Sequence, residues 1–187
     1  MVGYTKVDLR EWFTGKSFAY EHNYLSCDFS GFGSSYPAED LPNSNEIVFI
    51  QDVPFLFPEK NDDSFNSLEF NNQTINVDIH NCLRVHVLGA CDNGSFKECV
   101  TLANKSEKIK YEIGLTDWTN KNPYFNNTIA FRCKGSYSAR LGFNENMSTT
   151  IWYTHVNLDE KFFDINSITF SDNPSMHIFA ITLEGGK

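Results

Sequence analysis

Five histidines and 24 acidic residues are the groups in this 187-residue chain that could ligate a metal or move a proton. His80 and His86 share strand parity with Cys82 and Arg84, but an extended strand separates them by roughly 20 Å at about 3.3 Å per residue, so they cannot hold one ion. His155 and His177 could meet across strands, yet the compact His-x-His and Glu set of a cupin-like metal barrel is missing. A glycosidase needs two carboxylates flanking the scissile bond. Asp28, Glu39, Asp40, Asp117, Asp159 and Glu160 offer candidates, but a chain this acidic offers such pairs anywhere. No G-x-S-x-G elbow, H-E-x-x-H helix or P-loop occurs, and Gly31-Phe-Gly33 has Tyr36 where a dinucleotide fingerprint needs its third glycine.

More suggestive are Asp117-Trp118, Tyr124 and Arg140 in loops, with Trp152 and His155 on a later strand. Flat rings cover the C–H patches of a sugar while amides and charges meet its hydroxyls, so these six residues form a candidate saccharide site. The competing reading places Trp118 and Trp152 in the core, since large aromatics are highly buried on average. His177 reads as a buried, hydrogen-bonded histidine. Cys27, Cys82, Cys91, Cys99 and Cys133 are odd in number and lack a C-x-x-C pair, which predicts free, mostly buried thiols. No cofactor is called for; a structural calcium ion stays open, but its oxygen ligands cannot be assembled from the sequence. Sequons at Asn72, Asn93, Asn104, Asn126 and Asn146 read as the chance product of an Asn-rich chain.

The elements that would position these residues are short strands. Seventeen Phe, eight Tyr and three Trp favour sheets, and no long helical period or internal repeat occurs. Ile168 and Phe170 alternate with Ser167, Thr169 and Ser171, while Met176 to Leu183 is almost continuously apolar. Together they predict a core hairpin turning at Asp172–Ser175. Two separate strands are expected over 74–79 and 82–90, with a three-strand meander running through 96–103 and 108–113. Glu46–Ile50 and Val53–Phe57 form a hairpin around Gln51-Asp52, with Pro54 at an edge. The polar run 58–66 reads as a loop. About ten strands in one domain, residues 1–187, predict an all-β antiparallel sandwich or jelly roll.

A formal charge of -9 and no clustered Lys or Arg argue against nucleic acid. No stretch approaches 18 apolar residues, which predicts no membrane span. The N-terminus lacks a basic start and apolar run, so the chain as given reads as cytoplasmic, or secreted if a leader has been removed.

Several segments, in order, resemble a module of bacterial and fungal glycoside hydrolases: Val7–Leu9, Asp28–Gly33, Ser35–Glu39, Val53–Pro58, Leu88–Ala90, Gly114–Trp118 and Asp172–Leu183. The resemblance spans nearly the whole chain and implies a galactose-binding-like jelly roll, accessory to a catalytic domain and without settled activity. It favours carbohydrate binding and supplies no ligand residues. The expected function is therefore a non-catalytic saccharide-binding module of unknown oligomeric state. A protein-interaction module and a carboxylate-dependent enzyme remain as alternatives.

Overall fold

The computed structural model describes residues 2–158 and 163–186, so Asp159 and Glu160 lie outside the described residues. Fifteen strands follow one another among the described residues. They are β1 (Val2–Lys6), β2 (Phe18–Ala19), β3 (Ser34–Pro37), β4 (Ile47–Ile50), β5 (Val53–Leu56), β6 (Leu68–Asn71), β7 (Thr74–Cys91) and β8 (Phe96–Ala103). After these come β9 (Lys108–Leu115), β10 (Thr128–Cys133), β11 (Ser136–Ser138), β12 (Gly142–Asn144), β13 (Thr149–Asn157), β14 (Phe163–Phe170) and β15 (Asp172–Gly186). The expected all-β sandwich is what forms.

Nine strands make one antiparallel sheet that folds over itself through β7. The Thr74–Cys82 half of β7 pairs with β14, beyond which lie β8 and β9. The later half pairs with β13 on one side and β15 on the other, flanked by β10 and β1. The two expected strands are thus one 18-residue strand, bent near Asn81, whose φ of 52° lies in the left-handed region that Asn tolerates.

Alternation along β7 decides what each face of this sheet buries. Val85 and Val87 point between the two layers, against Val100, Leu102, Ile113, Ile168, Phe170, Ile178 and Ile181. Leu88 and Ala90 belong to a second core with Phe18, Tyr36, Phe55, Phe57, Trp152 and Phe179. Burying each of these large side chains is worth about 1.5–3 kcal/mol. The second core is roofed by the β4–β5 hairpin and by a small sheet in the order β12-β11-β3-β2. Gln51 and Asp52 both take positive φ, the mark of a two-residue hairpin turn.

Two expected pairings do not form. β14 and β15 are joined through Ser171, yet each borders β7 instead of the other, and Asp172 and Asn173 lie inside β15 opposite Asn71 and Phe70. The segment is an arch, not a hairpin, because β14 and β15 lie on opposite edges of β7, both pairing with it at Cys82. For the same reason β7, β8 and β9 are no meander: β14 sits between β7 and β8. Gly89 is required where β15 crosses β7, since a Cβ there would lie 2.5 Å from the His177 carbonyl oxygen.

Candidate functional site

The six residues singled out from sequence do not assemble into one loop surface. Trp118 and Trp152 are 3% and 0% exposed. Trp118 packs on Phe29 and Tyr36, and Trp152 Nε1 donates to the Asp117 carbonyl oxygen at 3.1 Å. Neither ring can stack on a ligand, because the core reading is the one realised. Asp117 is spent on tying two turns together: its carboxylate accepts from Gly94 N in the β7–β8 turn and from Thr119 N and Thr119 Oγ1 in its own loop. Tyr124 is exposed and tied back through its backbone N–H to Thr116 Oγ1. Arg140 stands exposed in the turn between β11 and β12.

His155 is exposed beside a buried network on the outer face of the sheet. His86 Nε2 lies 2.9 Å from Glu184 Oε2, its Nδ1 lies 2.9 Å from the Tyr153 hydroxyl, and Arg84 Nη1 donates to the same carboxylate at 3.1 Å. Burial pushes the His86 imidazole below its ordinary value against the opposing pull of Glu184. A neutral ring then donates from Nε2 to the carboxylate and accepts from Tyr153 at Nδ1. Arg84, His86, Tyr153 and Glu184 are each hydrogen-bonded and, apart from Arg84, buried, while His155 only packs its ring on His86 and Tyr153. His177 is buried as expected, but the expected hydrogen bond is not made: Nε2 is 3.5 Å from Asp92 Oδ1 and the ring lies against Phe29. Among the described residues, no three His, Cys, Asp or Glu side chains gather closely enough to hold a metal ion.

An open groove of about 620 Å³ lies instead on the small sheet. Tyr137 of β11 stacks on Tyr24 at 5.6 Å and meets Phe143 of β12 edge-on at 5.5 Å. Opposite them the short 3-10 turn Ala38–Asp40 carries Glu39 and Asp40, with Glu21 and Lys134 completing the lining. Glu39 Oε1 accepts from the Tyr137 hydroxyl and from Glu21 N, both at 3.2 Å, and Asp40 Oδ2 accepts from Lys134 N at 2.8 Å. Burial, reinforced by Glu39, pushes the Tyr137 phenol up to about 12, so it remains a donor throughout the neutral range.

A family model described as an AziU2-like beta-sandwich domain matches residues 3–187. The chain belongs to that family. No curated protein matches it. What holds the groove of this AziU2-like domain together comes from the run 58–66, which looks like solvated loop in the sequence. Lys60 is only 6% exposed, and its Nζ donates to the carbonyl oxygens of Ala38 at 2.7 Å and Leu41 at 3.0 Å. This ammonium ties down the turn that bears Glu39 and Asp40. Burial pushes Lys60 below its ordinary value, with Glu39 pulling the other way. Two residues on, the Asp62 carboxylate holds His22 Nε2 at 2.9 Å and accepts from Asn23 Nδ2 at 2.9 Å, fixing the segment that presents Glu21 and Tyr24.

In the sequence Glu39 and Asp40 are only two among many acids, and Tyr24, Lys60, Tyr137 and Phe143 are not among the residues that stand out. One available signal was the short interval between aromatics and strand ends in Ser136-Tyr-Ser138 and Gly142-Phe-Asn144.

Proposed function

We propose that this AziU2-like domain is a non-catalytic binding module whose groove accepts a saccharide. The observation that carries the reading is the pairing, in one open groove, of the exposed Phe143 ring and the half-buried Tyr24 ring, backed by buried Tyr137, with hydrogen-bonding groups of Glu21, Glu39, Asp40 and Lys134. Aromatic surface covers a sugar's C–H patches and carboxylates accept from its hydroxyls. The likeness of Asp172–Leu183 and Ser35–Glu39 to accessory modules of glycoside hydrolases supports the same reading. Binding is favoured over hydrolysis because Glu39 and Asp40 are chain neighbours on one turn, each accepting from protein donors, rather than an acid and a base on opposite sides of a bond.

The test is calorimetric titration with a panel of mono- and oligosaccharides, followed by Phe143→Ala and Tyr24→Ala. Both variants should retain the wild-type far-ultraviolet spectrum and lose binding by about tenfold or more, the loss of one ring contact of about 1.4 kcal/mol. Silence across the panel, or binding untouched by both changes, would refute the proposal.

A second reading, a protein-contact surface, is favoured by the exposure of Leu25 and Leu141, chain neighbours of groove residues Tyr24 and Gly142. A stable oligomer in solution that shields Phe143 would support it over saccharide binding.

A further inference from the structure

We infer that the groove selects a saccharide bearing a free ammonium group, an amino sugar, with Glu39 as its counter-charge; the inference rests on the saccharide reading above. The titratable groups on the groove are Glu21, Tyr24, Glu39, Asp40, Lys134 and Tyr137. Three are acids and one is a base. Lys60, behind the Ala38–Asp40 turn, is withdrawn: its ammonium is buried and pointed at the Ala38 and Leu41 carbonyls. His22, on the segment behind Glu21, is already held by Asp62. The groove thus presents excess negative charge.

That charge is placed beside π-faces. A cation gains from the faces of Tyr and Phe as well as from carboxylates, the combination by which aromatic cages recognise ammonium groups. Glu39 uses Oε1 for Tyr137 and Glu21, while Asp40 uses Oδ2 for Lys134, and the bonds that orient both carboxylates leave Glu39 Oε2 and Asp40 Oδ1 unengaged among the described residues. A neutral sugar would offer these oxygens only hydroxyl donors. An ammonium offers charge-assisted bonds of roughly twice the strength. The net charge of -9 would further enrich cations near the surface.

Of two further open polar grooves, one of about 560 Å³, lined by Asp8, Arg10, Glu11, Trp12 and Asn76, has its Asp8 carboxylate bound by Arg10, and one of about 440 Å³, lined by Asp78, His80, Asn104, Lys105, Ser106, Asp164 and Asn166, lacks these features. The latter has no aromatic wall, and Asp164 is already paired with His80 at 3.3 Å and accepts from Asn81 N.

The experiment compares four probes by calorimetry at about pH 6, where an amino sugar is protonated. They are a glucosamine trimer, its fully N-acetylated counterpart, cellotriose, and spermidine as a cation without a sugar. The glucosamine trimer should bind at least about tenfold tighter than either neutral trimer, with the advantage shrinking as salt is added. Glu39→Gln, which keeps an acceptor for Tyr137, should reduce the advantage of the glucosamine trimer over the neutral trimers below about threefold. Glu21→Gln, at an exposed position, gives a second variant that should narrow the gap if the Glu39→Gln change disturbs the turn. Neutral trimers binding as tightly as the glucosamine trimer, in a manner still abolished by Phe143→Ala, would overturn this inference and leave the saccharide reading standing. Spermidine binding as tightly as the glucosamine trimer would overturn it by removing the role of the sugar. No binding by any probe would overturn both.

Discussion

Lys60→Met replaces a buried ammonium with an apolar side chain of similar length and separates the groove's support from its lining. In the wild type Nζ makes two bonds to carbonyl oxygens, at 2.7 and 3.0 Å, inside a site that leaves the residue 6% exposed. Hydrogen bonds to a charged donor are worth about 1.5–3 kcal/mol each, and the abandoned carbonyls of Ala38 and Leu41 would stay covered. Against this, methionine escapes the desolvation penalty that holds the lysine below its ordinary value. Taking somewhat less than half of the gross loss as offset leaves a net destabilisation of about 2 kcal/mol, a factor of about 30 in the folding equilibrium. For a chain of this size that corresponds to about 4–8 °C in melting temperature. Urea titration at neutral pH should show a lowered midpoint with an unchanged slope. Lys97→Met, which removes only an exposed pair with Glu112, should move stability by less than about 0.5 kcal/mol. Well below its melting temperature the Lys60→Met protein should also bind the saccharide more weakly, because the Ala38–Asp40 turn loses its strut. A Lys60→Met protein as stable as the wild type, or more so, would refute the reasoning by showing that burial of the charge costs as much as its bonds return.

Other outcomes follow from the core and the titrating groups. Trp152→Ala should cost about 3–5 kcal/mol, whereas Tyr124→Ala should cost less than about 0.5, so comparable denaturation midpoints for the two would contradict the assigned burial. Burial lowers His86, and partial desolvation with the nearby Arg84 charge lowers the more exposed His155, from the ordinary value near 6.5, so in the window between their folded values and about 6.5 the unfolded chain binds more protons. Stability should therefore fall as pH drops through that window, and a melting temperature flat between about pH 7 and pH 5 would contradict it. Cys99 is exposed while Cys27, Cys82, Cys91 and Cys133 are buried, the last three pushed up to about 12 by burial. A thiol reagent should titrate one cysteine in the native protein and all five in denaturant, and rapid native reaction of a second would locate an opening in the core.

Alternation and turn residues made the strands legible. Ile168 and Phe170 facing one way, the apolar run through Leu183, and the left-handed Gln51-Asp52 corner are consequences of local backbone geometry and of which side chains avoid water. The free cysteines and the absence of long helices were equally local. The groove was less legible, because its lining comes from four separated stretches whose residues are individually ordinary. Trp118 and Trp152 admit both a binding and a core reading in the sequence for a related reason: a ring in a loop or strand has the same chemistry whether it faces solvent or Phe29.

By itself the sequence determined that the chain is a β-sandwich and where most of its strands run, since a period of two depends only on neighbouring residues. Tertiary structure decided which strands pair, because Ile168 would alternate identically beside β15 or beside β7, and only the assembled sheet puts β14 and β15 on opposite edges of one strand. It also decided that Lys60, in a polar run that reads as solvated, is a buried strut, because the two carbonyls that hold its charge come from residues about twenty positions earlier. Burial and charge pairing are properties of what converges on a side chain, and convergence over such separations is not written in local spacing.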